Sequence, residues 1–399
     1  MAERRLRSAA SVAGTVALVY VTGRLVTTLF FWFAAELSGP SSRFGADATI
    51  GSLAMGWDAQ WYWLIAANGY PSELPLNETG QVAENAWAFM PLYPWISNAL
   101  GTLLGGYPIA AVTVAVVAGY AASLALFALL RERIGDGAAL WAVVFFASGP
   151  LAALFQMGYA ESLFLLWLLL AILAVARRSF WWLYPLVVLM GFTRPGVLAF
   201  ALFLGLYGIH RWLRRHRDAL PVSQIVHIVA LGALATAVGF SWQVIAGIVA
   251  GDPTAYLETE LAWRRSWVGA EEGFFPVSGF VRASIVWFGL WGLPTWLGPV
   301  ALVVLVVAVV VAMVRLPQVR ALGPEVRLWG ASYLIYLLAV FFPQSSIFRL
   351  LLPLTPVAAA VAVPRPLWWR VMILAVCLGG QWLWIHEMLA RGDTFFRIP

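Results

Sequence analysis

Apolar runs recur from one end of the chain to the other, separated by short arginine-bearing segments. Each run approaches the roughly 20 residues that a helix needs to cross a bilayer. They fall at Val12 to Leu37, Pro108 to Leu130, Ala138 to Phe155, Ser162 to Ala176, Phe180 to Phe192, Val197 to Trp212, Val222 to Ala250, Pro294 to Val314, Leu328 to Phe342, Leu350 to Val363 and Leu367 to Leu389. This pattern predicts an all-α, polytopic integral membrane protein with about eleven transmembrane helices. The basic residues of Arg4-Arg5-Arg7, Arg131 to Arg133, Arg177-Arg178, Arg211 to Arg217, Arg315 to Arg327 and Arg365 to Arg370 then share one side, which the positive-inside rule makes cytoplasmic. The basic head followed by Val12 to Leu37 resembles a signal sequence, but the run is too long for an h-region and is expected to remain as the first span.

Alternation of the spans requires Phe89 to Leu104 to lie along the interface as an amphipathic segment rather than to cross. Residues 1-399 then form a single transmembrane domain with two long extracytoplasmic loops, 38-106 and 251-293, the first carrying two interfacial helices. Long loops gathered on one face are where binding and catalysis concentrate.

Composition narrows the chemistry. Hydrophobic residues make up 62% of the chain and charged ones 11%, with a mean hydropathy of +0.83, which excludes a soluble protein carrying a membrane tail. All 25 basic residues are arginine, a usage that fits a GC-rich bacterial genome and hence the plasma membrane. The net charge of +6 does not point to nucleic acid, because the arginines abut span ends, where orientation and anionic membrane lipids explain them. A lone Cys377 excludes an intramolecular disulfide, and the spacing of His210, His216, His227 and His386 suits no metal site.

The first outer loop is acidic, with Asp47, Asp58, Glu73, Glu78 and Glu84 against Arg43. Within it, Ser52 to Asn68 reads as one interfacial helix that turns Trp57, Trp61, Leu64 and Ile65 towards lipid and holds Asp58 at headgroup depth. Partial burial raises a carboxylate's pKa, which suits a general base working near neutral pH; the plain alternative is an exposed acid on a Trp-anchored surface helix. Asn68-Gly69-Tyr70-Pro71 stops this helix, and Ala88-Phe89-Met90-Pro91-Leu92-Tyr93-Pro94 opens the next. The second loop, with Tyr256, Glu258, Glu260, Trp263, Arg264, Arg265 and Trp267, mixes aromatics with charge as sugar-binding surfaces do, and equally as a plain interfacial helix does. The plain helix is the reading carried forward.

With these words in order, the chain resembles the PIG-V-like mannosyltransferases, members of the GT-C class of polyprenyl-phosphate-sugar-dependent glycosyltransferases. The resemblance rests on Trp57-Asp58-Ala59, Tyr62, Ile65-Ala66 and Gly69-Tyr70, then on Phe89-Met90-Pro91-Leu92-Tyr93-Pro94. It continues through Ser148-Gly149-Pro150, Tyr159-Ala160-Glu161-Ser162, Gly191-Phe192-Thr193-Arg194-Pro195-Gly196 and Phe348-Arg349-Leu350. Departures are Met90 for a second aromatic, Ala160 for Thr, Pro195 after Arg194 and Leu350 for Tyr. The resemblance implies inverting transfer of mannose from a polyprenyl-phosphate mannose donor to a glycolipid, glycan or protein acceptor on the outer face.

In that scheme Asp58 is the base, while Arg349 and Arg194 bind the donor phosphate. Glu161, Trp57, Trp61, Tyr62 and Tyr93 form the acceptor or cavity group. No dedicated metal cage is legible, so a divalent metal stays open. Arg24, mid-span, is expected to face the bundle as an ion-pair partner of Glu161 or Asp58. The competing class is a transporter or flippase for a lipid-linked substrate, which calls for ionisable residues near mid-membrane and broken helices in two related halves.

Overall fold

A computed structural model describes residues 2–268, 273–394 and 397–398. Among these the chain is helical, and the one extended pairing is an isolated bridge between Leu76 and Val82. In chain order the helices are α1 (Ala2–Glu36), α2 (Ile50–Ala54), α3 (Asp58–Asn68), α4 (Leu92–Leu104), α5 (Tyr107–Ile134), α6 (Asp136–Ser148), α7 (Glu161–Ala176), α8 (Leu183–Gly191) and α9 (Val197–Leu213). They continue as α10 (Val222–Ala250), α11 (Ala255–Val268), α12 (Ser278–Leu290), α13 (Leu297–Arg315), α14 (Pro317–Ala321), α15 (Pro324–Val340), α16 (Ile347–Leu350), α17 (Thr355–Ala358) and α18 (Leu367–Ile385).

Five helical segments among the described residues are long and apolar enough to cross a membrane: Ser11–Glu36, Tyr107–Ile134, Val222–Ala250, Leu297–Arg315 and Leu367–Arg391. The Leu297–Arg315 helix is almost wholly on the outside of the protein, with Val303, Val304, Leu305 and Val307 exposed as a lipid-facing surface requires. The remaining predicted spans are shorter, and two of them are interrupted at Gly or Pro. The run from Ala138 to Phe155 stops at Ser148, before Gly149-Pro150, and resumes as a 3-10 turn over Ala152–Gln156. Leu350 to Val363 is a chain of short α and 3-10 pieces, since Pro353 and Pro356 remove backbone donors.

Two further expectations are corrected. The interfacial helix over Ser52 to Asn68 is broken into α2 and α3 at Trp57, whose backbone sits at φ 54 and ψ −123. In place of the predicted lipid-facing stripe, Ile65 is 1% exposed in the core and Trp63 is the residue that projects, at 52%. The second outer loop, 251-293, also contains a helix that its sequence does not predict. That helix, α12, packs against α13 and α15 through glycines: a Cβ on Gly298 would lie 2.4 Å from the Ser284 carbonyl oxygen, and one on Gly279 2.5 Å from that of Phe341.

The main core is built where α5, α6, α7, α9 and α15 meet, from Leu126, Val143, Leu168, Phe200, Phe203 and Trp329 among others. Arg24 of α1 is buried there without the predicted acid. Its guanidinium donates to the carbonyls of Ala147, at 2.6 Å, and Ala152, with Gln156 Oε1 at 3.5 Å. Ala147 lies in the last turn of α6, where helical carbonyls lose their intrahelical donors, and the arginine supplies one; Ala152 opens the 3-10 turn that follows.

Candidate functional site

Four segments distant in sequence converge on one ion cluster. The first is the α2–α3 break. A bulky residue at positive φ is costly, and Trp57 is held there from several sides. Its Nε1 donates to the Met388 carbonyl at 3.0 Å, the Arg43 guanidinium lies 5.1 Å from its ring, and Phe44 meets it edge-on. The break makes Asp58 the first residue of α3, where the helix dipole favours a carboxylate.

The second segment is the turn before α7. Gly158 donates its N–H to the Ala54 carbonyl at 2.8 Å and lies so close to α2 and α3 that an added Cβ would sit 2.8 Å from Met55 Sδ and 3.1 Å from Ala59 Cβ. This contact docks Tyr159 and Glu161 beside Asp58, and the Tyr159 hydroxyl lies 3.3 Å from the Asp58 backbone N–H, which donates to it. The third is the α8–α9 turn, where Gly196 at φ 131 makes the bend after Arg194 and the Phe192 carbonyl accepts from Leu92 N–H at 2.9 Å. The fourth is α16, whose Leu350 carbonyl accepts from the Tyr333 hydroxyl at 2.7 Å and which presents Arg349.

Arg349 Nη1 is ion-paired with Asp58 Oδ2, and Arg349 Nε lies 3.5 Å from Glu161 Oε1. Arg194 Nη1 is 3.1 Å from that same oxygen. Side-chain exposure is 16% for Asp58, 12% for Arg349, 11% for Arg194 and 2% for Glu161, so the four charges are nearly dry and formally cancel. Burial pushes the Asp58 pKa above the usual carboxylate range; the Arg349 charge opposes the shift and the Glu161 charge adds to it.

Asp58, Arg194 and Arg349 line a cavity of about 500 Å³. Tyr62 lines it as well, but Glu161 lies behind the two arginines, where it bridges them. Trp57, Trp61 and Tyr93 are not on the wall. Trp61 stacks behind Phe89, and the buried Tyr93 donates its hydroxyl to the Ala111 carbonyl at 2.8 Å. Among the described residues no three His, Cys, Asp or Glu side chains come together as metal ligands. The far wall belongs to α11, with Tyr256, Glu260 and Arg264, and to α15, with Tyr333 and Tyr336.

A groove of about 510 Å³ continues along the same two helices that close one side of the cavity. The cavity uses Val197 and Leu198 of α9 and Val238 and Gly239 of α10; the groove uses Leu202 and Gly205 of α9 and Gly232 and Thr236 of α10. Its lining is mostly apolar and includes the exposed Ile209, Trp212 and Val229.

The chain matches no family model and no curated protein. Among solved structures it is similar to ArnT from Cupriavidus metallidurans bound to undecaprenyl phosphate, at 16% identity and a TM-score of 0.45 over 86% of this chain and 59% of that one. The apo state of ArnT gives 13% identity and 0.44, over 87% and 58%. Archaeal oligosaccharyltransferase AglB from Archaeoglobus fulgidus, in complex with an inhibitory peptide and a dolichol-phosphate, gives 13% and 0.35, over 95% and 49%. The chain thus spans under three fifths of the ArnT chain and about half of AglB. Likeness at this level of identity and TM-score does not identify an activity.

Proposed function

We propose that this chain is a membrane glycosyltransferase of the GT-C type, transferring mannose from a polyprenyl-phosphate donor to an acceptor hydroxyl at the extracytoplasmic face. The observation that carries the proposal is the buried cluster of Asp58, Glu161, Arg194 and Arg349 at the wall of the cavity. It supplies, side by side, a carboxylate poised as a base and two guanidiniums suited to phosphate. The sequence resemblance to PIG-V-like mannosyltransferases supports mannose as the sugar. The groove between α9 and α10 supports a donor with an apolar tail, since it would let a polyprenyl chain leave the cavity without exposing hydrocarbon to water.

In this scheme the acceptor oxygen attacks the anomeric carbon as the bond from that carbon to the phosphate oxygen breaks, with inversion. The acceptor proton passes to an Asp58 carboxylate oxygen, and the electron pair of the broken bond stays on the polyprenyl phosphate. The phosphate gains a negative charge in the transition state, so Arg349 and Arg194 bind it more tightly there than in the ground state. Arg349 rests on Asp58; an arriving phosphodiester competes for that guanidinium and frees the carboxylate for the acceptor. Glu161 stays behind both arginines and holds their orientation.

The test is transfer of labelled mannose from polyprenyl-phosphate mannose in membranes holding equal amounts of wild type or Asp58→Asn. The expected result is a loss in kcat of roughly 10²-fold or more, the usual contribution of a general base. Equal transfer removes Asp58 from the mechanism, and no transfer by either protein favours the transporter class.

A further inference from the structure

On α11, Tyr256, Glu260 and Arg264 stand one turn apart and all three line the cavity. A helix that only rests on a membrane surface directs its acids to water. Here burial instead pushes the Glu260 carboxyl up, partly offset by hydrogen bonding with the Tyr256 hydroxyl and by the nearby Arg264 charge. α11 is pinned in this orientation. Thr259, on its buried side, accepts from the Asn85 side chain at 2.9 Å, the Trp263 carbonyl accepts from Gln344 at 2.9 Å, and Arg264 donates to the Val340 carbonyl. Tyr336 of α15 and Arg194 line the same cavity as Glu260.

We infer that this face of α11 is the sugar-reading wall of the cavity: Glu260 accepts hydrogen bonds from hydroxyls of the glycosyl unit being transferred, and Tyr256 orients its carboxylate. The inference rests on the glycosyltransferase reading and deepens it by assigning donor-sugar selectivity. A carboxylate accepts from two neighbouring hydroxyls at once, and a site built to bond a hydroxyl discriminates strongly against a sugar that presents it elsewhere. Asp58 then handles the acceptor, the two arginines the phosphate, and Glu260 the sugar between them. Its place in the second outer loop frees sugar choice to vary without disturbing the ion cluster.

The experiment compares wild type, Glu260→Gln, Glu260→Asp and Tyr256→Phe with polyprenyl-phosphate mannose and its C2 epimer, polyprenyl-phosphate glucose. Transfer is normalised to folded protein by thermal unfolding. Glu260→Gln is expected to raise the donor KM and lower kcat/KM for the preferred sugar by roughly 10- to 100-fold, collapsing the ratio between the epimers, as loss of a charge-assisted hydrogen bond does. Glu260→Asp should restore part of the ratio, and Tyr256→Phe should reduce it less than Glu260→Gln does. Asp58→Asn should lower kcat for both donors and leave their ratio unchanged. An unchanged ratio and KM in Glu260→Gln, with wild type active, overturns this assignment alone. Absence of transfer by wild type from either donor overturns the glycosyltransferase reading and this inference with it.

Discussion

Replacing Glu161 with Gln takes one negative charge from a cluster whose two acids and two arginines cancel, leaving an excess positive charge almost out of reach of water. Glu161 Oε1 is 3.1 Å from Arg194 and 3.5 Å from Arg349, and its side chain is 2% exposed. With an effective dielectric constant near 20, each of these contacts is a gross attraction of roughly 5 kcal/mol. The desolvation already spent on the pairs makes the net loss smaller, and breaking a buried pair destabilises by about 3–5 kcal/mol. The Gln side-chain oxygen still accepts a hydrogen bond, so the lower end, about 3 kcal/mol, is expected. At about 2 °C per kcal/mol for a large domain, unfolding should shift down by on the order of 6 °C. The assay is thermal unfolding of purified wild type and Glu161→Gln with and without undecaprenyl phosphate. Because the excess charge is one that a phosphate can match, the lipid should raise the variant's unfolding temperature more than that of wild type. A variant that unfolds with wild type and responds equally to the lipid would refute the view that Glu161 balances two phosphate-binding arginines.

Two other outcomes follow from the same geometry. Gly158→Val should push the α7 turn away from Met55 and Ala59, separating Glu161 from Asp58; transfer should fall by roughly 10²-fold while stability falls by only about 1–3 kcal/mol, and Gly158→Ala should be milder because Met55 can move. Transfer by wild type should also be lost as pH falls through the Asp58 pKa, since the base works as a carboxylate; burial raises that pKa, so the acid limb of kcat should lie above the usual range near 4, and a limb at or below it would contradict the site's dryness.

Each member of the cluster is legible in the sequence as a lone charge among apolar or aromatic neighbours: Asp58 after Gly56-Trp57, Glu161 at the start of an apolar run, Arg194 and Arg349 at span ends. Their meeting is not legible, because Asp58 and Arg349 stand 291 residues apart and the cluster depends on a close approach at Gly158 and on the positive-φ bend at Gly196. The break at Trp57 was hidden by a continuous apolar-aromatic pattern, although Gly56 was its signal: a Cβ there would lie 2.3 Å from the Phe44 ring. The α11 wall is not legible in the sequence, because the spacing of Tyr256, Glu260 and Arg264 also describes a surface helix; only packing on both sides separates the two. The mid-span position of Arg24 implies that it faces inward, but its partners are the backbone carbonyls of Ala147 and Ala152, and side-chain sequence patterns carry no trace of these.

Under the proposed function, the arrangement would meet a difficulty common to proteins that hold an anion near a membrane. Arginines strong enough to grip a phosphate are costly to leave bare in a dry site. An acid that occupied every exposed donor of both guanidiniums would keep the phosphate out. Here the two acids differ in burial and therefore in role. Glu161, sealed behind the arginines, is paired with both of them, whereas Asp58, on the cavity wall, is paired with Arg349 where, under the proposed function, a phosphate would replace it. The displaced Asp58 would then be a carboxylate without its arginine, in surroundings that favour taking up a proton, at the moment when the donor is bound. Under that proposal, donor binding and activation of the base would be one event. A free acceptor hydroxyl meets an active carboxylate only when a leaving group is already in place, which would limit wasteful attack by water on the donor.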